Sequence, residues 1–211
     1  MMRSRSEDAG RAPLALLYSD SRGREVRVAA PAGMASRAVM PDARSKERFI
    51  QAVLEVRCVD TLEDLEILGR TVRKLSPAEL HSLRQRVAVL TPAMRLMSNL
   101  NAWENISLAA AYHGRPALAQ VARTAHEVLE ALGAEPPKVL ASLPEELSSL
   151  ERKFVAFARL LAAQPELAIL DSVDEGLSAG EVPLSERFEA EYRLRRPGGT
   201  LLHVDAEKER H

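Results

Sequence analysis

The sequence predicts an α/β protein built on a mostly parallel sheet, with a helical segment inserted near its middle. Three observations carry that expectation. Short apolar strand patterns, Val87 to Leu90, Leu167 to Asp171 and Thr200 to Val204, alternate with helical ones. Two serine-led capping boxes, Ser76-Pro77-Ala78-Glu79 and Ser148-Ser149-Leu150-Glu151, mark where two helices begin. Between them, residues 98–150 are helix-biased, with breaks at His113-Gly114-Arg115-Pro116 and Glu135-Pro136-Pro137.

The elements follow in order. Residues 1–13 are polar and read as a disordered lead-in. Leu14 to Tyr18 is a short apolar run followed by turn residues, a strand and turn, and Glu25 to Ala30 supplies the returning strand of an N-terminal antiparallel β segment. Residues 31–45 hold Pro, Gly, Ser and Asp without periodicity and are expected to be mostly loop. From Lys46, Phe49, Ile50, Val53 and Leu54 share one side of a helix. Leu65 to Leu68, ending at Gly69, suggests another strand. After the first capped helix, Val87 to Leu90 is a buried-strand pattern stopped by Thr91-Pro92. The second capped helix repeats Leu150, Phe154, Phe157, Ala158 and Leu161 at helical spacing, and Pro165 closes it.

Composition narrows the function classes. With 29 Lys+Arg against 30 Asp+Glu, nothing global favours nucleic acid as a partner. The single cysteine, Cys58, excludes an internal disulfide framework and a multi-cysteine metal site. No apolar run approaches the length of a membrane span, and the polar start has no signal-peptide core, so the expected location is cytosolic.

The order of segments from Leu75 onward resembles the nucleotide-binding subunits of ABC transporters. Leu147-Ser148-Ser149-Leu150-Glu151 with the helix after it, then Gln164-Pro165-Glu166 and Leu167 to Asp171, looks like their signature motif, signature helix and Walker B strand. Leu75 to Leu80 and Arg86 to Leu90 resemble the stretch ending in the Q-loop. Ser98 to Ile106, with Tyr112-His113-Gly114, looks like the start of their helical subdomain. The wording there is closest to the ATPases of MCE (Mla-like) lipid importers. The resemblance implies a P-loop NTPase (ABC ATPase-like) fold, with residues 14–97 and 151–211 as the α/β core and 98–150 as the helical subdomain.

That family grips ATP with a glycine-rich loop, a lysine on the β/γ-phosphates and a Ser/Thr on Mg²⁺. Two registers are open here. One places Lys46 at the lysine, with Met40 to Ser45 as the loop and Glu47 at the hydroxyl position. The other matches Ala30 to Arg37, keeping Gly33 but putting Ser36 at the lysine. Elsewhere Pro92 stands at the Q-loop glutamine, Ser149 and Leu150 at the signature glycines, and Ser172 at the general-base glutamate after Asp171. Leu177-Ser178 stands at the D-loop, and His203 or Val204-Asp205 at the switch histidine. Hydrolysis needs metal, water and base together.

The expectation is therefore a catalytically degenerate subunit, not an enzyme, binding neither ATP nor Mg²⁺, with Lys46, Ser148 and Asp171 as vestiges. It would dock on a transmembrane permease at the cytoplasmic face of the inner membrane, in a homodimer or a heterodimer with another ABC ATPase, and serve MCE-type lipid transport. By resemblance, Met94, Leu96, Met97, Leu100 and Trp103 line the groove that receives the permease. The alternatives are an active ATPase using Lys46 with Asp171, or a soluble adaptor that kept the fold.

Overall fold

The computed structural model describes residues 14–21, 26–58, 61–92, 95–112, 117–176 and 183–207. The expected lead-in at 1–13 lies outside them, as do Met94 and the Leu177-Ser178 pair. Two four-stranded sheets organise the described chain. The first is antiparallel: β1 (Leu14–Asp20) lies between β2 (Val26–Pro31) and β4 (Glu63–Ile67), and β5 (Arg70–Thr71) pairs with β4. Leu68 and Gly69 join β4 to β5, both at positive φ (49° and 73°), the requirement of a tight hairpin turn.

The second sheet is parallel, in the order β3 (Ala35–Met40), β8 (Thr200–Ala206), β7 (Leu167–Asp171), β6 (Val87–Leu90). Parallel pairing sets every strand's C-terminal end on one edge, where polar side chains can converge. The expected loop at 31–45 is corrected here, because it contains β3 and the start of α1 (Ala43–Glu55). β3 closes one side of its sheet, and Val39 is 58% exposed, so the strand lacks a clean apolar alternation.

Central β7 is buried along its whole length, as a parallel strand covered on both faces should be. Leu167 and Ile169 face a cluster shared with β1, β2, β4 and Phe49 and Val53 of α1. Ala168 and Leu170 face the other cluster, with Phe154, Phe157 and Leu161 of α6 (Ser149–Ala162). Between β6 and α6 lie α3 (Ala102–Tyr112), α4 (Leu118–Ala131) and α5 (Pro136–Ala141), and α3 and α4 pack on α6. Phe157 stacks in parallel on Phe188 of α7 (Leu184–Arg195), their centroids 4.0 Å apart. Both capping boxes are formed, at Ser76–Glu79 ahead of α2 (Pro77–Arg84) and at Ser148–Glu151 ahead of α6. Each such cap is worth about 1 kcal/mol. Among the described residues no helix is long and apolar enough to cross a membrane.

Candidate functional site

Three chain segments meet at the C-terminal edge of the parallel sheet. β3 ends at Met40, Pro41 and Asp42 turn the chain, and α1 begins at Ala43. Asp42 caps the helix, its carboxylate accepting from the Ser45 amide at 2.6 Å and the Ser45 hydroxyl at 3.1 Å. Those bonds hold the Asp42 carboxyl below its ordinary range, the Ser45 amide contributing most. One turn into α1, Lys46 reaches over β8 to the end of β7. Its Nζ lies 2.7 Å from Asp171 Oδ1 and donates to Ser172 Oγ at 2.7 Å. From the end of β6, the Thr91 hydroxyl donates to Asp171 Oδ2 at 2.7 Å.

Asp171 is buried, and its charge is balanced by the Lys46 ammonium rather than by water. Ser172 follows with φ 48°, a left-handed conformation unusual for serine, and its amide bonds to Val204 O at 3.0 Å. That backbone turn directs the Ser172 hydroxyl back to Lys46. Alongside lies an open cavity of about 650 Å³, between Asp171, Ser172, Thr91 and Pro92 on one side and Ser149 and Arg152 of α6 on the other. Arg152 and Lys153 are spent on the framework: Arg152 donates to Leu147 O at 2.6 Å, and Lys153 to Val173 O at 2.8 Å.

The two registers for a phosphate loop are thereby separated. Lys46 stands on a strand–turn–helix junction. Ala30 to Arg37 instead runs from the end of β2 through a turn into β3, and the Gly33 amide donates to Thr200 Oγ1 at 2.9 Å. The second register is therefore corrected: it lies on the sheet, away from any helix start. Of the three residues expected to be vestigial, the structure brings Lys46 and Asp171 into contact. Ser148 stays at the N-cap of α6, accepting from the Glu151 amide at 3.1 Å. His203 is buried on β8 and faces Glu189 of α7, its Nε2 3.4 Å from Oε2.

The segment expected to meet a partner has its own organiser, which the sequence reading missed. Leu96 and Trp103 pack partly on the helical cluster, Leu100 is half-buried, and Met97 is 52% exposed. Buried Asn105 ties this stretch down. Its Oδ1 accepts from the Met97 amide at 2.7 Å, and its Nδ2 donates to the carbonyls of Met97, Leu100 and Asn101 at 2.9–3.1 Å. Only the position of an asparagine one helical turn after Asn101 could have signalled it.

Among the described residues no three His, Cys, Asp or Glu side chains group as a metal cage. A hard cation shared with phosphates needs fewer protein ligands, however. Asp171 Oδ1 meets Lys46 as an ion pair and takes no well-aligned hydrogen bond. With the Thr91 and Ser172 hydroxyls beside it, this is an oxygen set that suits Mg²⁺.

Residues 54–174 match the family model described as ABC transporter. Among curated proteins, the methionine import ATP-binding protein MetN of Rhizobium johnstonii is 33% identical over 128 residues, covering 58% of this chain and 34% of that protein. MetN of Mesorhizobium japonicum is 30% identical over 127 residues, with the same coverage. MetN of Helicobacter pylori is 29% identical over 126 residues, covering 59% and 38%. The chain thus spans about a third of the length of the curated relatives it matches. Among solved structures, the dimeric bacterial ABC transporter cassette MJ0796 superposes with a TM-score of 0.69 at 20% identity, covering 91% of this chain and 86% of that one. The same cassette in a post-hydrolysis state bound to ADP and Pi gives 0.69 at 19% identity, covering 92% and 87%.

These likenesses bear out the P-loop fold and correct three expectations. The relatives are named ATP-binding proteins, and a solved neighbour holds ADP and Pi, which overturns the reading of a non-enzymatic chain without ATP or Mg²⁺. Their named role is methionine import, which overturns the reading of MCE-type lipid transport. The physical reason lies in how phosphates are held. In general, main-chain amides at a helix start and one lysine can hold a phosphate, and replacing the loop glycines removes neither.

Proposed function

This chain belongs to the ABC transporter family, whose model matches more than half of it, and on that premise we propose that it is an ATP-binding, ATP-hydrolysing subunit of an importer. The observation that carries the proposal is the junction of Lys46, Asp171 and Thr91 at the C-terminal edge of the parallel sheet. Lys46 and the first turn of α1 would hold the phosphates. Asp171, with the Thr91 and Ser172 hydroxyls, would hold Mg²⁺, which supplies charge neutralisation for the triphosphate when bound. Ser148, on the cap of α6, is offered toward a nucleotide on a second subunit.

The working division is a core of residues 14–97 and 151–211 with a helical subdomain at 98–150. Leu96, Met97, Leu100 and Trp103 form the surface for a transmembrane permease. The partner across the nucleotide is a second copy or another ABC ATPase, and the assembly sits peripherally on the cytoplasmic face of the inner membrane. The named role of the relatives supports an amino acid as the imported solute, with methionine the first to test.

Phosphate release should be measured on the chain co-expressed with its permease subunits. MgATP-dependent turnover, lost on Asp171→Asn, is the expected result. Absence of MgATP binding by the wild-type chain overturns the proposal.

A further inference from the structure

The start of α1 offers two attractions for an anion, the main-chain N–H groups of its first turn and the Lys46 ammonium. Each already faces a carboxylate of this same chain. Lys46 is paired with Asp171 at 2.7 Å, and Asp42 takes the Ser45 amide at 2.6 Å and its hydroxyl at 3.1 Å. The two carboxylates differ in freedom. Asp171 is buried and fixed by both Lys46 and Thr91, whereas Asp42 is exposed and its hydrogen bonds are to its own helix turn. One side-chain rotation takes the Asp42 charge away from the amides and costs no core contact.

Resting on the ATP reading above, we propose that Asp42 is a built-in competitor for the triphosphate, because its carboxylate claims the first-turn Ser45 amide that a bound phosphate would also seek. The competition is electrostatic as well as positional. A carboxylate a few ångströms from a triphosphate repels it at every pH where both are ionised. Asp42 is exposed, so its charge is screened nearly as in bulk water, and at such range it changes affinity by about tenfold. Both attractions are thus met by carboxylates of this chain, the helix being capped by Asp42 and the lysine paired with Asp171. ATP must out-compete an internal anion, so the site binds nucleotide more weakly than it would without the Asp42 charge.

The test is MgATP titration of the full chain by calorimetry, comparing wild type with Asp42→Asn, Asp42→Ser and Glu55→Gln. Asparagine and serine preserve a helix N-cap while removing the charge. Glu55→Gln removes one charge from the opposite end of α1. The expected result is an affinity for MgATP about tenfold higher in both Asp42 variants, with Glu55→Gln unchanged and the gap narrowing at high salt. Equal or weaker binding by Asp42→Asn and Asp42→Ser overturns this proposal and leaves the ATP reading standing. Failure of all four proteins to bind MgATP overturns both.

Discussion

Lys46 and Asp171, on different elements and separated by most of the chain, meet at 2.7 Å and close the junction between α1 and β7. Their side chains are 18% and 7% exposed, so the pair is largely withdrawn from water. Lys46→Ala leaves the Asp171 carboxylate with Thr91 as its remaining partner. Loss of one partner from a buried pair costs about 3–5 kcal/mol, and partial exposure with the retained Thr91 bond brings this to about 2 kcal/mol. Urea denaturation should show that loss, and nucleotide binding should weaken with it. An unchanged midpoint would mean that the pair contributes nothing to the fold.

Gly199 lies where a methyl group has no room. A Cβ there would press on the Tyr192 hydroxyl and come within 2.8 Å of Cζ, and Tyr192 is fully buried with its hydroxyl donating to Pro165 O at 3.2 Å. Gly199→Ala is expected to destabilise by about 1–3 kcal/mol through displacement of that ring. Tyr192→Phe in the same background should recover part of the loss, read as a rise in thermal midpoint.

Gln164 ends α6 in a left-handed conformation, with φ 51°. An L side chain pays about 1–2 kcal/mol there, while glycine gains unfolded-state entropy that offsets some of it. Gln164→Gly should therefore stabilise by about 0.5–1 kcal/mol in chemical denaturation. A destabilised variant would show that the side chain makes a contact that outweighs its strain.

Burial pushes the His203 imidazole below its ordinary value, and Arg37 adds to this, while Glu189 pulls the other way. The unfolded chain protonates this histidine near pH 6.5, whereas the folded chain resists until lower pH. Between those points the unfolded state binds more protons, so stability falls as pH drops below about 6.5. The slope from one such group is at most about 1.4 kcal/mol per pH unit. Thermal midpoints from pH 7 to 5 should fall less steeply in His203→Gln than in wild type, and parallel curves would refute the assignment.

Asn105→Ala removes four hydrogen bonds to the segment from Met97 to Asn101. The Met97 and Asn101 carbonyls keep the Leu100 and Asn105 amides, so the Met97 amide and Leu100 carbonyl lose this partner, at a cost of about 1–2 kcal/mol. Hydrogen exchange should accelerate at the Met97 amide first. Emission from Trp103, the only tryptophan, should shift to the red.

The capped helices were legible in the sequence because a serine and a glutamate three residues apart satisfy the same two amides wherever they occur. Buried strands such as Leu167 to Asp171 were legible for a similar reason, being continuous apolar runs closed by an acid. β3 was not, since an edge strand with Arg37 and Val39 facing outward offers no alternation to find. The site was half visible. Asp171 and Lys46 could be named, but a pair so distant in sequence gains its partnership only from the order of strands. Reading each replaced side chain as a lost function went too far, because amides at a helix start belong to no side chain. Asn105 was passed over because an asparagine in the first turn of a helix looks like surface until its four bonds are seen.

Asp174, just beyond the strand end that carries Asp171 and Ser172, accepts from the Ser185 amide at 2.9 Å and its hydroxyl at 2.5 Å, and Arg37 of β3 donates to that same hydroxyl at 3.2 Å. The turn beside Asp171 and Ser172 is thus buckled to the front of α7 and to the outermost strand. Any tug on one end of this strap is felt at the other. A movement provoked at Lys46 has a ready-made lever by which to rock α7, and with it the Phe157–Phe188 stack that seats the helical layer.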